Sequence, residues 1–173
     1  MNFPLNYYRV EAIGFIRHSY SDEYVSQSWG GVDADVEILP EYRHALLGIE
    51  GYSHLILVAY LHKVNRNQVK LVLKPMGLLK VGLREDELPL VGLFCTASPL
   101  RPNPIAVSIV ELNDVEDGVL HISKCDLFNG TPVLDIKPFT PSRCPKRYKI
   151  PKWLEDVAAK ARERAGIDIF EYC

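Results

Sequence analysis

The stretch "NPIAVSIVELNDVEDGVLHISKCDL", Asn103 to Leu127, decides the fold class. It opens as an alternating apolar strand and resumes as a second β-rich run. Between the two runs lies Asp117-Gly118, a dipeptide suited to the positive φ of a tight hairpin turn. Downstream, "DLFNGTPVLDIKPF" (Asp126–Phe139) holds a second such turn signal, Asn129-Gly130, leading into a strand over Pro132–Phe139. Upstream, "PLVGLFCTASP" (Pro89–Pro99) reads as a buried strand and "QVKLVLKP" (Gln68–Pro75) alternates. "SHLILVAYLHK" (Ser53–Lys63) is almost wholly apolar, which predicts a central strand buried on both faces.

Further toward the N-terminus, "PEYRHALLGIEG" (Pro40–Gly51) predicts a short helix, with proline at its start and glycines near its end. "DADVEILP" (Asp33–Pro40) and "RVEAIGFIR" (Arg9–Arg17) read as strands. Many short strands with little helix between them predict an all-β fold, a closed or partly open barrel. A doubly wound α/β fold needs helical crossovers, and most connections are too short for them. No dinucleotide-binding glycine fingerprint is present, and "GLLKVG" (Gly77–Gly82) is not a phosphate loop.

The end of the chain differs in character. "IPKWLEDVAAKARERAG" (Ile150–Gly166) has proline at the expected first helical position and glycine just past the end. Trp153, Leu154, Val157, Ala158 and Ala161 form one apolar stripe, predicting a helix laid against the main body. The expected organisation is a barrel domain over 1–141 and a basic linker with a helical extension over 142–173.

The formal net charge of −2 argues against a uniformly cationic nucleic-acid binder but leaves room for a local basic patch. The four cysteines, Cys95, Cys125, Cys144 and Cys173, lie far apart, with no C-x-x-C pair. No metal site is therefore expected. No secretory signal and no apolar run of roughly 18 residues is visible, so a cytoplasmic protein with free thiols is expected. Cys95 and Cys125 lie in strand-like segments and are expected to be buried.

Four groups of residues could carry chemistry. In "TASPLRPNPI" (Thr96–Ile105), Ser98, Arg101 and Asn103 each precede a proline, which stiffens the loop in extended conformations. Arg101 offers a planar fork for a carboxylate or phosphate, and Asn103 a donor and an acceptor. The plain alternative is a rigid corner with Arg101 in water. Asp135 and Lys137 share one face of a predicted strand, either as a simple ion pair or as a preset acid/base pair or zwitterion clamp. Asp126 is a turn former or a ligand acceptor. His62 and Lys63 fall where a strand leaves the core. "KPFTPSRCPKRYKIPK" (Lys137–Lys152) concentrates Arg143, Lys146, Arg147 and Lys149 without an acid. It is either an RNA-binding stretch or a solvated loop.

In this order, "GYSHLILVAYLHK" (51–63), "GLFCTASPLRPNPIAVSIVEL" (92–112) and "DLFNGTPVLDIKPF" (126–139) resemble the TrmO family, also called TsaA-like or YaeB-like proteins. The resemblance runs from about Ile13 to Pro141. It implies a β-barrel, S-adenosylmethionine-dependent tRNA methyltransferase that works as a homodimer. It implies N6-methylation of threonylcarbamoyladenosine beside the anticodon, and hence binding of the tRNA anticodon loop. By motif, Gln27, His62, Lys63, Arg101, Asn103, Val107, Asp135 and Lys137 would line the cofactor site, Val107 through its backbone. Asp135 and Lys137 would serve catalysis. Phe139 and Tyr148 are the aromatic candidates for holding an unstacked base.

Two departures bear on activity. The family's T-R-S-P reads Thr96-Ala97-Ser98-Pro99 here, and its P-R-Q reads Val25-Ser26-Gln27. Losing one charged hydrogen bond costs roughly 1.5–3 kcal/mol. A divergent member that binds S-adenosylmethionine or another adenosine ligand without methyl transfer is therefore the second reading.

Overall fold

The computed structural model describes residues 8–170. In chain order it contains β1 (Gly14–Arg17), α1 (Asp22–Gln27), β2 (Val32–Ile38), β3 (His54–Tyr60), β4 (Val72–Leu73), β5 (Val91–Gly92), β6 (Ile105–Glu116), β7 (Val119–Cys125), β8 (Pro132–Pro138) and α2 (Lys152–Ala165). Short 3-10 turns fill several of the connections. Six strands close into a barrel in the order β1-β2-β7-β6-β3-β8, every neighbour antiparallel. β4 and β5 form a separate two-stranded ribbon.

Strand alternation builds the core. One face of each barrel strand supplies Ile16, Val36, Ile38, Leu55, Leu57, Ala59, Val110, Leu120, Ile122 and Val133, all at most 2% exposed. Each large aliphatic side chain buried this way contributes about 1.5–3 kcal/mol. Register shifts at Val32/Ala34, Val58/Ala59 and Leu112/Asp114 bend the strands enough to close the cylinder. The expected hairpin between β6 and β7 turns on Asp117 (φ 49°) and Gly118 (φ 83°), the paired positive values that match strand twist. Gly31 (φ +73°) leads from α1 into β2, where an added Cβ would meet the Lys124 carbonyl carbon at 2.5 Å.

Several expectations needed correction. Ser53–Lys63 is buried on one face only: in β3, His54, Ile56, Val58 and Tyr60 remain half-buried on the outer wall, because the sheet closes on itself and only the inner face enters the core. The strand expected over Pro89–Pro99 shrinks to β5 and a 3-10 turn at Leu93–Cys95. Among the described residues its only partner is the two-residue β4, itself the remnant of the strand expected over Gln68–Pro75. Phe94 and Cys95 are consequently exposed, whereas Cys125 is buried and its thiol is pushed up to about 12 by that burial. Pro40–Leu46 is a 3-10 helix without a side-chain cap.

The C-terminal helix begins two residues later than the quoted stretch, with Pro151 at its N-cap and Gly166 (φ 67°) closing it. Val157 and Ala161 pack with Val81, Leu83 and Leu88, from the segment between β3 and β6, into a second apolar cluster. Trp29 and Trp153 border that cluster. Glu87 fastens it, taking two hydrogen bonds from Arg164 at 2.5 and 2.8 Å and one from the Arg84 backbone at 3.0 Å. Cys173 lies outside the described residues.

Candidate functional site

α1 was not anticipated, although its signal is local. Ser21 is the N-cap, accepting from the Tyr24 N–H at 3.2 Å, and Asp22 and Glu23 follow in the first turn. Val25 pins the helix to the barrel core. On another side, Lys63 Nζ donates to both Asp22 carboxylate oxygens, at 2.8 and 2.6 Å, and sits 5.5 Å from the centre of the Phe128 ring. α1, the end of β3 and the β7–β8 connection thus meet at one end of the barrel. His62 belongs to this cluster. Desolvation, and then the adjacent Lys63 cation, lower its pKa, while Asp22 pulls the other way. His62 therefore stays neutral at pH 7. Two residues before Phe128 in the β7–β8 connection, Asp126 accepts from the Ser108 hydroxyl, Oγ to Oδ1 2.5 Å.

The proline loop reaches the same end of β3, because the Leu61 N–H donates to the Pro104 carbonyl at 2.8 Å. Within the loop, Arg101 Nη1 donates to the carbonyls of Thr96 (2.7 Å) and Ser98 (3.4 Å), and its guanidinium lies 5.6 Å from the Phe94 ring centre. The guanidinium therefore spans the backbone on either side of exposed Ala97. The Asn103 carbonyl takes the Ile105 N–H at 2.8 Å.

Asp135 and Lys137 do form a pair, with Nζ 2.5 Å from Asp135 Oδ2. Asp135 Oδ1 accepts from the Ile136 N–H at 2.9 Å. The pair lies on the outer wall of β8, where Asp135 is opposite Val58, which is in turn opposite Val107. Two strand spacings separate Asp135 from Val107, about 10 Å. Around them the outer wall is apolar: Ile56 faces Ile109, Val58 faces Val107 and Tyr60 faces Ile105. Val107 is 68% exposed there.

The candidate residues thus fall into three groups: His62–Lys63 with Asp22 and Phe128, Arg101 within its loop, and Asp135–Lys137 beside Val107. Among the described residues no hydrogen bond or ion pair joins one group to another. Gln27 ends α1 with its side chain exposed. Two residues on, Trp29 Nε1 is a buried donor without an acceptor among the described residues. Arg143, Lys146, Arg147 and Lys149 all lie exposed between β8 and α2. Phe139 tilts against His54 at 6.2 Å, and Tyr148 is 71% exposed. Among the described residues no group of three His, Cys, Asp or Glu is arranged to hold a metal ion, and no helix is long and apolar enough to cross a membrane.

Residues 25–143 match the model of the tRNA-methyltransferase O N-terminal domain. A "probable S-adenosyl-L-methionine-binding protein" of Pyrococcus abyssi is 36% identical over 124 residues, 72% of this chain and 61% of that protein. The tRNA (adenine(37)-N6)-methyltransferase of Escherichia coli is 30% identical over 144 residues, 78% of this chain and 58% of the relative. The chain therefore spans about three-fifths of the length of both proteins. The crystal structure of TrmO from Pseudomonas aeruginosa superposes with a TM-score of 0.59 at 29% identity, covering 80% of this chain and 58% of that one. From the match over 25–143 and the shared barrel, the chain belongs to the tRNA-methyltransferase O N-terminal domain family.

Proposed function

We propose that this protein is an S-adenosylmethionine-dependent tRNA methyltransferase that methylates N6 of threonylcarbamoyladenosine beside the anticodon. The observation that carries the reading is the meeting of α1, Lys63, His62 and Phe128 at one barrel end, in a chain of this family. The residues there fit the cofactor. Lys63 and Arg101 are cations for its carboxylate, Asp126 is an acceptor for its ammonium, and Phe128 is a flat apolar wall. Gln27, Asn103 and the Val107 backbone complete the proposed set.

When bound, the cofactor supplies a methyl group on a sulfonium for in-line displacement. The protein's own work is then positional. The prolines around Arg101 and Asn103 hold the loop in the conformation it needs, so little freedom is lost on binding. The acceptor nitrogen must lose a proton, and Asp135 or the carboxylate of the substrate itself is the proposed base. Lys137 holds Asp135 in place, and the carboxylate retains lone pairs to accept that proton.

A homodimer belongs to the proposal. The exposed apolar row Ile105, Val107 and Ile109, against Ile56, Val58 and Tyr60, is the surface a second copy would cover. Pairing there would also draw the Asp135–Lys137 pair out of water, where its charges act more strongly. Arg143, Lys146, Arg147 and Lys149 are the proposed contacts to the tRNA backbone, and the cytoplasm the proposed compartment.

Ala97 keeps a second reading in play, a family member that binds the cofactor but transfers no methyl group. Calorimetric titration with S-adenosylmethionine and with its demethylated product tests what both readings share. Saturable binding of each is expected. Binding of neither overturns both and leaves an RNA-binding module without enzymatic activity.

A further inference from the structure

Beside Gln27 of the proposed cofactor set, α1 and the residues leading into it carry an aromatic pair that this set does not use. Tyr20 and Tyr24 stack with ring centres 5.2 Å apart and planes 12° from parallel, and they stay 39% and 57% exposed. Tyr20 is flanked by His18 and Tyr24, so the ring with surface to offer is Tyr24, the more exposed of the pair. The pair is well supported. His18 packs on Tyr20 at 5.7 Å, donates its backbone N–H to Asn129 Oδ1 at 3.2 Å, and places Nε2 3.0 Å from the Leu127 carbonyl. Tyr24 and Gln27, three apart, share one helix face, and both are exposed. The opposite side of α1 is spoken for by Val25 in the core and Asp22 on Lys63.

Charge on a segment tied to the other side of α1 bears on the occupant of this face. The segment His62–Lys70, tied to α1 through the Lys63–Asp22 pair, carries Lys63, Arg66 and Lys70 with Asn65, Asn67 and Gln68, and no acid. All of these except Val64 and Val69 are exposed. Lys63 already neutralises Asp22, so Glu23 is the remaining acid of α1; the hollow that Tyr20 lines also holds Arg17, Asp33 and Asp35, the last paired with His121. Flat rings beside exposed cations and amides are the chemistry that grips single-stranded nucleic acid: bases on the rings, phosphates on the cations.

We propose that the Tyr20–Tyr24 pair is a stacking platform for an unpaired base of the RNA substrate, with the exposed cations Arg66 and Lys70 of the segment joined to α1 by Lys63 on phosphates further along the strand. The proposal rests on the tRNA reading above and adds to it the residues that hold the acceptor strand next to the proposed cofactor set. Tyr24 is a positioning residue: it touches a base, not the transferred methyl group.

The test is fluorescence anisotropy with a labelled anticodon stem–loop RNA, run beside calorimetry with S-adenosylmethionine. Tyr24→Ala is expected to weaken RNA binding about 5- to 100-fold, the range of one base stacked on one ring, and to leave cofactor affinity unchanged. Tyr24→Phe keeps the ring and is expected to bind RNA within about twofold of the parent. Arg66→Ala is expected to lower the salt dependence of binding, with the log–log slope falling by about 0.7. An unchanged RNA affinity in Tyr24→Ala overturns the platform while the methyltransferase reading stands. An equal loss in Tyr24→Phe, or a matching loss of cofactor affinity, also overturns it. Parent protein that binds no anticodon stem–loop overturns the tRNA reading itself.

Discussion

Ala97→Arg is the substitution that most sharply probes the proline loop. Ala97 is exposed, so an arginine there meets no packing penalty. Thr96 and Ser98, on either side, already lend their carbonyls to Arg101 Nη1 at 2.7 and 3.4 Å. A second guanidinium at this point would supply a charged hydrogen bond to the cofactor, roughly 1.5–3 kcal/mol. It would also face Arg101. At a separation of about 6 Å in water-like surroundings that repulsion costs about 0.7 kcal/mol. The net gain is about 1–2 kcal/mol, a five- to thirty-fold lower Kd for S-adenosylmethionine. Calorimetry on the parent and the variant measures it directly, with circular dichroism to show that the barrel is intact. An unchanged or higher Kd in a folded variant would refute the assignment of this loop to the cofactor.

Three other perturbations test the fold and its surfaces. Val107→Asp puts a charge in the middle of the apolar outer wall and is expected to turn a dimer into a monomer in sedimentation velocity; a parent that is already monomeric would rule out the proposed pairing. Leu57→Ala removes a fully buried side chain and should cost about 2–5 kcal/mol in urea unfolding, with an unchanged denaturant slope. The Arg164 hydrogen bonds, and then the Arg84 backbone N–H, hold the Glu87 carboxyl well below the usual carboxylate range. A lowered folded-state pKa contributes stability above the ordinary carboxyl value of about 4.3, lost as pH falls through the folded value. Both of the chain's tryptophans, Trp29 and Trp153, border the cluster that Glu87 fastens, so their fluorescence should change as pH falls below about 4. Glu87→Gln should show the altered signal already at pH 7, and a variant that behaves as the parent would remove Glu87 from that role.

The parts of the fold legible in the sequence are those fixed by neighbours along the chain. The β6–β7 hairpin follows from alternation around Asp117-Gly118, and α2 from its apolar stripe between Pro151 and Gly166. Pro89–Pro99 has the apolar content of a strand but is not one for most of its length, because a strand also needs a long ladder partner and β4 offers two residues. Closure of the barrel, which leaves one face of β3 on the outside, depends on pairing between strands distant in sequence. The candidate site divides the same way. The Asp135–Lys137 pair follows from strand periodicity. The Lys63–Asp22 contact joins residues 41 apart and has no local signature. The tyrosine stack was reachable in part, since Ser21-Asp22-Glu23 marks a helix start that would have set Tyr24 on an exposed turn.

The central claim is methyl transfer by this barrel to the modified adenosine beside the anticodon. Incubating the protein with methyl-labelled S-adenosylmethionine and tRNA, with and without the threonylcarbamoyl group, and identifying the labelled nucleoside tests it directly. Label at N6 of threonylcarbamoyladenosine, and none in tRNA that lacks the group, is the predicted result. A protein that binds the cofactor yet labels neither tRNA would contradict it.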